Sequence, residues 1–545
     1  MNARRHPFPL PIALAAALAL SLAACAGDAT TKALEAIEAE DMAFHLKFLS
    51  APEFRGRPTP SVEQDIASKY IALTAERIGL LPFMPGGSYY QEIPVEVTSV
   101  VAAASRLRLS APSGSRDFAF PADATAGRWF ETGRASGELV FVGYGLSAPA
   151  LGWDDLAGLD VEGKIAVLLE AALPPDHALK PAENRRLLNG RSSALREKGA
   201  AAVVTIVDES REKRLADGGL SFDLPQRTRV LDIDNAAPGA PPASRPASRT
   251  FLQVEVRHAA GAALLGVSPD DLARWSEDLR QGRPVAAKKL PGRRLDVDLV
   301  AGTRRDRAFN VVAYAEGSDP VLRREFVTVT SHHDHLAPRE GRVYPGADDN
   351  NSGVVGMFEI AEAVLLAPPK RSVVFVWNTA EELMLLGSYS FVQHCPVPVE
   401  KISANLNLDM IARNAADHLY LIGSNKLSSE LDASIRAMNE KPGPGLRLDY
   451  TYEAPGHPDR FFFRSDQYPY IRYGIPGVWF FCGTTEDYHT EGDVEAKADY
   501  AKMEKVSELV YRVAMDIGNK PELLELDLRP EVTARGPENM KVAWQ

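Results

Sequence analysis

The spacing of apolar and polar positions changes twice along the chain. From Ala43 to Leu80 apolar residues recur at helical intervals, interrupted by Arg55-Gly56-Arg57-Pro58. Between about Ala126 and Gln281 the texture turns to strands such as Glu138–Val142 and Lys164–Leu169, separated by Gly- and Pro-rich turns. The Pro- and Ala-rich stretch 236–246 reads as an exposed loop. From Asn310 onward strand and helix alternate. Apolar runs at Phe326–Thr330, Ser372–Thr379, Ile402–Leu408 and Gly477–Phe481 predict buried strands, and Gly353–Leu366 and Tyr500–Ile517 predict helices. Such alternation predicts an α/β domain whose sheet is covered by helices on both faces. No internal repeat of fixed period is present.

Composition changes this picture only at the edges. The chain has 545 residues, 45% hydrophobic and 25% charged, enough for two or three cores. A net charge of −12 argues against a nucleic-acid partner. Three cysteines, Cys25, Cys395 and Cys482, are too few for a disulfide scaffold. At the N-terminus Arg4 and Arg5 precede an apolar stretch from about Leu10 to Leu22, laid out as a secretory signal. Leu22-Ala23-Ala24-Cys25 resembles the bacterial lipobox, which implies cleavage before Cys25, lipidation of Cys25 and a membrane anchor. By resemblance to enterobacterial sorting rules, Ala26 favours the outer membrane. The expected organisation is a signal peptide over 1–24, a tether over 25–42, an α/β domain in two parts over 43–125 and 282–520, an insert over 126–281, and a tail over 521–545.

The candidate chemistry sits where the predicted strands end. Phe326–Thr330 leads to His332-His333-Asp334-His335, Ser372–Thr379 to Glu381-Glu382, Ile402–Leu408 to Asp409, and Gly477–Phe481 to Asp487-Tyr488-His489. Gly346-Ala347-Asp348-Asp349-Asn350 precedes a predicted helix. Each cluster alone is an ordinary turn or cap. Four of them at strand ends and a fifth before a helix point together to the crevice, beyond the carboxyl ends of the strands, where open α/β sheets bind ligands. Neither a Gly-x-Ser-x-Gly elbow nor a His-Glu-x-x-His helix occurs.

In order and spacing these stretches resemble the co-catalytic zinc exopeptidases, the family of bacterial leucyl aminopeptidases, glutamate carboxypeptidase and glutaminyl cyclase. His45–Leu49 and Glu53–Arg57 resemble the family's N-terminal helical segment. The resemblance implies a mixed central sheet flanked by helices and two zinc ions, with cobalt or manganese as chemical alternatives. It implies that His332 and Asp409 bind one metal, Glu382 and His489 the other, and Asp349 bridges both. Asp334 would fix the tautomer of His332. Glu381 would be the general base, acting on a water whose pKa two metals bring towards roughly 7. Tyr488 is a candidate for stabilising the oxyanion. Matching the motif leaves His333 and His335 without a metal role. Ser465-Asp466 fits a family motif that here continues with Gln467, and Cys482, His394 and His418 read as structural or surface residues. The insert resembles the protease-associated domain through Val142–Gly145, Gly163–Leu168 and Ala194–Val204.

These expectations converge on an exported, lipid-anchored aminopeptidase acting on peptides. A carboxypeptidase or dipeptidase is the alternative, with Arg413 or Arg464 as a carboxylate clamp. A binding protein on an inactive peptidase scaffold is disfavoured by the unbroken ligand set. Glutaminyl cyclase chemistry is disfavoured because the positions for a second metal are kept.

Overall fold

The computed structural model describes residues 29–529 apart from 175, 178, 180–183, 234–250, 455–456 and 458. The expected signal peptide, Cys25, the 236–246 loop and the end of the tail lie outside these residues.

The main sheet runs in space through Gln226–Val230, Tyr90–Val100, Ala301–Ala315, Ser372–Asn378, Phe326–His332, Ile402–Leu408, Gly477–Phe481, His418–Ile422 and Arg447–Asp449. The four central strands, Ser372–Asn378 through Gly477–Phe481, are parallel, and antiparallel neighbours flank them on either side. Every residue of those four strands is buried, including the polar members of Phe326–His332 and Ile402–Leu408. Several of these polar side chains pair within the sheet. Thr330 Oγ1 donates to Asn407 Oδ1 at 2.8 Å, and Asn405 Nδ2 donates to Thr328 and Thr330.

Helices cover both faces. One face carries Ala39–Leu49, Val62–Ile78, Gly353–Leu366 and Tyr500–Asn519, which share one core with the sheet. Ala39–Leu49 buries Met42, His45, Leu46 and Leu49, at the three- and four-residue intervals of a single stripe. It packs on both Gly353–Leu366 and Tyr500–Asn519, so the first and last long helices of the main domain touch. The Ser61 side chain caps Val62–Ile78 by accepting from the Gln64 N–H. The other face carries Leu386–Gln393 and Gln467–Arg472, packed through Phe391 and Tyr470.

A second sheet with its own core runs through Gly114–Phe118, Arg106–Ala111, Lys288–Leu299, Gly133–Phe141, Ile165–Leu169, Ala202–Ile206, Leu252–Val256 and Ala124–Ala126. It reaches beyond the expected 126–281 at both ends. Arg106–Ala111 and Lys288–Leu299 bury only alternate residues, so they carry no apolar run in the sequence. Conversely, Gln226–Val230 lies inside the expected insert but pairs with Tyr90–Val100 at the edge of the main sheet. The described part of the tail has no regular structure. It lies against the domain through Leu524, whose N–H donates to Ser403, and Leu528, whose N–H donates to the Leu427 carbonyl. Among the described residues no helix is long and apolar enough to cross a membrane.

Candidate metal centre

Because the four central strands are parallel, their carboxyl ends deliver side chains to one edge of the sheet. Two groups of potential ligands meet there. One is His332, Glu381 and Asp409; the other is His335, Asp349, Glu382 and His489. Asp349 stands between them. Its Oδ1 is 3.4 Å from His332 Nε2, and its Oδ2 is 3.1 Å from His489 Nε2. His332 Nε2 is 3.5 Å from Asp409 Oδ1 and 3.8 Å from Glu381 Oε2, and His489 Nε2 is 3.2 Å from Glu382 Oε1.

The surroundings fix these groups. His332 Nδ1 donates to the backbone carbonyl of Asp334 at 3.0 Å, which turns the Nε2 lone pair towards the cluster. This corrects the expected part of Asp334, whose carboxylate oxygen lies 3.8 Å from that nitrogen and accepts the Glu381 N–H at 3.1 Å. The main chain, not the Asp334 side chain, orients the ring. Asp349 is held by Asp493, whose carboxylate accepts the N–H groups of Asp348 and Asp349 at 2.9 and 3.0 Å. The Ser465 hydroxyl donates to Asp409, and Trp479 Nε1 donates to its carbonyl at 2.8 Å. Asp466 accepts from Asn378, while Gln467 donates to the Phe462 carbonyl and takes no place at the cluster. Asp487 pairs with Arg413 and Lys497 at 2.7 and 2.8 Å, which pins the turn carrying His489.

Arg57, Asp493 and His335 are contributors that motif spacing did not reveal. The Arg57 side chain is fully buried and donates to the carbonyls of Leu49, His333, Pro345 and Gly346. It thereby ties the loops on either side of the metal-ligand candidates to the N-terminal helices. Gly56 makes this approach feasible, since a Cβ there would lie 2.1 Å from the Leu336 carbonyl oxygen. His333 faces the opposite way, accepting from Gln64 Nε2 at 2.9 Å. Burial and the Arg57 charge push its pKa down to about 3, so it is neutral and structural.

Electrostatically the cleft is divided. Burial raises the carboxyl of Glu381 well above its ordinary range, with His332 opposing and Asp409 adding to the rise. Glu382 goes the other way, to about 2: burial and Asp349 oppose ionisation, but His335 and His489 outweigh them. Four carboxylates and three imidazoles at these separations form a mixed N/O donor set of the kind that holds zinc. Buried polar atoms of His335 and Glu382 lack hydrogen-bond partners among the described residues, as expected of groups that face a cation. The residues present fit a metal centre.

A cleft of about 300 Å³ opens onto the cluster, walled by Met410, Phe461, Trp479 and Phe481 and rimmed by Arg464 and Tyr488. Tyr488 stacks on His489 with ring centroids 3.9 Å apart, and its hydroxyl accepts from Arg464 Nη2 at 3.0 Å. Arg464 has no carboxylate partner among the described residues, whereas Arg413 is taken up by Asp487. Cys482 is buried beneath the cleft, and burial pushes its thiol up to about 12. His394 and His418 lie apart, bonded to the Asp232 carbonyl and to Asp449.

Residues 310–514 match the model of Peptidase family M28. The chain is 30% identical to the probable leucine aminopeptidase 2 of Aspergillus oryzae over 231 residues, 41% of this chain and 44% of that protein. It is 29% identical to aminopeptidase YwaD of Bacillus subtilis over 195 residues, 34% and 40% of the two chains. The matched stretch thus spans less than half the length of these curated relatives. Two solved structures share the fold, each with a TM-score of 0.53. The aminopeptidase from Aneurinibacillus sp. strain AM-1 is 20% identical, covering 92% of this chain and 100% of that one. BSAP, a zinc aminopeptidase from Bacillus subtilis, is 19% identical, covering 91% and 99%.

Proposed function

With residues 310–514 matching the model of Peptidase family M28, we propose that the protein is a two-zinc aminopeptidase that removes residues one at a time from peptide N-termini. The observation that carries this reading is Asp349, which offers one carboxylate oxygen to each of two ligand groups. His332 and Asp409 would hold one ion, and Glu382 and His489 the other. Cobalt and manganese suit the same donor set. When bound, a pair of such ions supplies a water of lowered pKa and positive charge opposite the developing oxyanion.

The remaining steps belong to the chain's own side chains. Glu381 is the one carboxylate of the cluster assigned to no ion. It accepts the proton of the attacking water and returns it to the leaving amine. Its raised pKa suits a group that must carry that proton between the two steps. The Tyr488 hydroxyl accepts from Arg464, which leaves its own proton free for the carbonyl oxygen of the scissile bond. The apolar wall of Met410, Phe461, Trp479 and Phe481 receives the side chain of the residue to be cleaved and excludes water.

The test is hydrolysis of aminoacyl-p-nitroanilides and their N-acylated forms, with metal assayed on the same sample. Two metals per chain and turnover of free-amine substrates with bulky apolar residues is the expected result. Glu381→Gln should keep its metal and lose roughly 10²–10⁴-fold in kcat; retained turnover would remove the mechanism. Arg464 favours a second reading, since a guanidinium at the cleft with no carboxylate partner among the described residues can clamp a substrate carboxylate. Cleavage of dipeptides or N-acylated peptides, lost in Arg464→Met, would establish a dipeptidase or carboxypeptidase instead.

Export and anchoring through Cys25 are part of the same proposal, supported by the lipobox-like Leu22–Cys25. Palmitate labelling of the expressed protein should vanish in Cys25→Ser, and labelling that persists would exclude the anchor. The second sheet is proposed to act as a protease-associated domain that shapes access to the cleft.

A further inference from the structure

We propose that His335 is a fourth protein ligand of the second metal, which makes the two halves of the centre unequal. One ion would be held by three groups, His332, Asp349 and Asp409, and the other by four, His335, Asp349, Glu382 and His489. The inference rests on the two-metal reading above.

Three observations carry it. The His335 side chain is fully buried, yet neither ring nitrogen has a hydrogen-bond partner among the described residues. A buried imidazole left in that state has lost its contacts with water and gained none in return, so native structures rarely keep one without a further partner. Next, its Nδ1 points into the second ligand group, 2.9 Å from Glu382 Oε1 and 3.8 Å from Asp349 Oδ2. His489 Nε2 approaches the same two oxygens at 3.2 and 3.1 Å. Atoms bound to one tetrahedral ion at about 2.0–2.2 Å lie about 3.3–3.5 Å apart, the middle of this range of separations. His335 Nδ1 meets Glu382 Oε1 at ion-pair distance, and among the described residues Glu382 Oε1 has no hydrogen-bond partner. Finally, the ring is kept in place by its packing. It meets His489 edge-on with centroids 5.5 Å apart, and a Cβ on Gly346 would lie 2.6 Å from its Cδ2. Gly346, at φ 59°, leaves the room that the imidazole fills.

The chemical consequence is a division of labour. Four protein donors nearly complete the coordination of one ion and hold it tightly. Three leave the other with an open position, as catalytic sites require.

The test uses the full-length protein loaded with cobalt(II). Each imidazole bound to a paramagnetic cobalt contributes one exchangeable ring N–H proton shifted far downfield in the NMR spectrum. Three such resonances are expected in the wild-type protein and two in His335→Ala, with His489→Ala as the control for a lost ligand. A parallel zinc titration should show the tighter of two steps weakened by roughly 10²-fold or more in His335→Ala, and the weaker step little changed. Two resonances in the wild-type protein would overturn the proposal without recourse to any variant, since His335 would then lie outside the coordination sphere. A His335→Ala protein with unchanged resonances and titration would overturn it equally. A wild-type protein that takes up no second ion would instead remove the two-metal reading, a failure visible in the metal content before any resonance is counted.

Discussion

Glu359 illustrates how a single side chain couples the fold to pH. It sits in the middle of the largely apolar helix Gly353–Leu366, almost fully buried, and accepts the Glu38 N–H at 3.1 Å. Burial, reinforced by the neighbouring carboxylates Glu362, Asp41 and Glu38, raises its pKa from 4.5 to about 8. The folded state therefore binds this proton more tightly than the unfolded chain does. Stability is full below about pH 4.5 and is lost as pH rises towards 8. Glu359→Gln keeps the acceptor for Glu38 but removes the titration. Its urea midpoint should gain on the wild type between pH 6 and 9 by a few kcal/mol, at about 1.4 kcal/mol per pH unit of the window. Parallel pH profiles of the two proteins would contradict this. The site itself was legible at this scale where residue type and spacing coincide. Glu381, Glu382, Asp409 and His489 follow apolar runs, Asp349 precedes a helix, and all meet at one edge of the sheet. Asp493 and Arg57 act through backbone groups far away in the chain, so no local pattern marks them. His335 was passed over because the motif assigns its neighbour His332, and only the packing reveals where the second ring lies.

Among the elements, the central strands were the easiest to read, because burial on both faces leaves them rich in apolar residues and free of Asp, Glu, Lys and Arg. Edge strands defeat that logic. Gln226–Val230, of sequence Gln-Arg-Thr-Arg-Val, buries only its last residue and reads as loop. The turn between the first two helices is likewise opaque in sequence but decisive in structure. The guanidinium of Arg57 joins that turn to four carbonyls, on the Leu49 helix end, the His333 strand end and the loop before Asp348. Burial lowers its pKa to about 10, which leaves it charged at neutral pH. Arg57→Met should cost about 3–5 kcal/mol in chemical denaturation, since several buried carbonyls lose a charged donor together. Arg57→Lys should recover only part, because an ammonium lacks the planar fork that reaches all four. Equal stability of Arg57→Met and wild type would deny this turn its role.

On the scale of the whole molecule, the second sheet is bound to the metal-centre region through buried charge. Arg211, on helix Glu209–Asp217, donates to Glu340 at 2.6 Å and to Glu255 at 2.7 Å, and Arg214 reaches the same Glu340 at 3.3 Å. Glu340 lies five residues beyond His335, and its N–H donates to Asp223. Arg211→Ala would strand a buried carboxylate beside that loop, a loss of about 3–5 kcal/mol. The expected outcome is faster amide exchange over residues 336–346, relieved when Glu340→Gln is added. Exchange confined to the second sheet would show that the two parts are not coupled through this contact. Sequence alone located an inserted β-rich unit but not its limits, because its outer strands alternate buried and exposed residues.

The contact between the first and last long helices has a consequence in time. Ala39–Leu49 completes its seat only once Tyr500–Asn519 exists, and strand Tyr90–Val100 waits some two hundred residues for its partner Ala301–Ala315. A growing polypeptide therefore carries its future ligands for most of its synthesis without the walls that would bring them together, and His489 joins them almost last. Closure so dependent on distant partners is slow, and a cleft assembled in this order is incomplete until the His489 turn has been made.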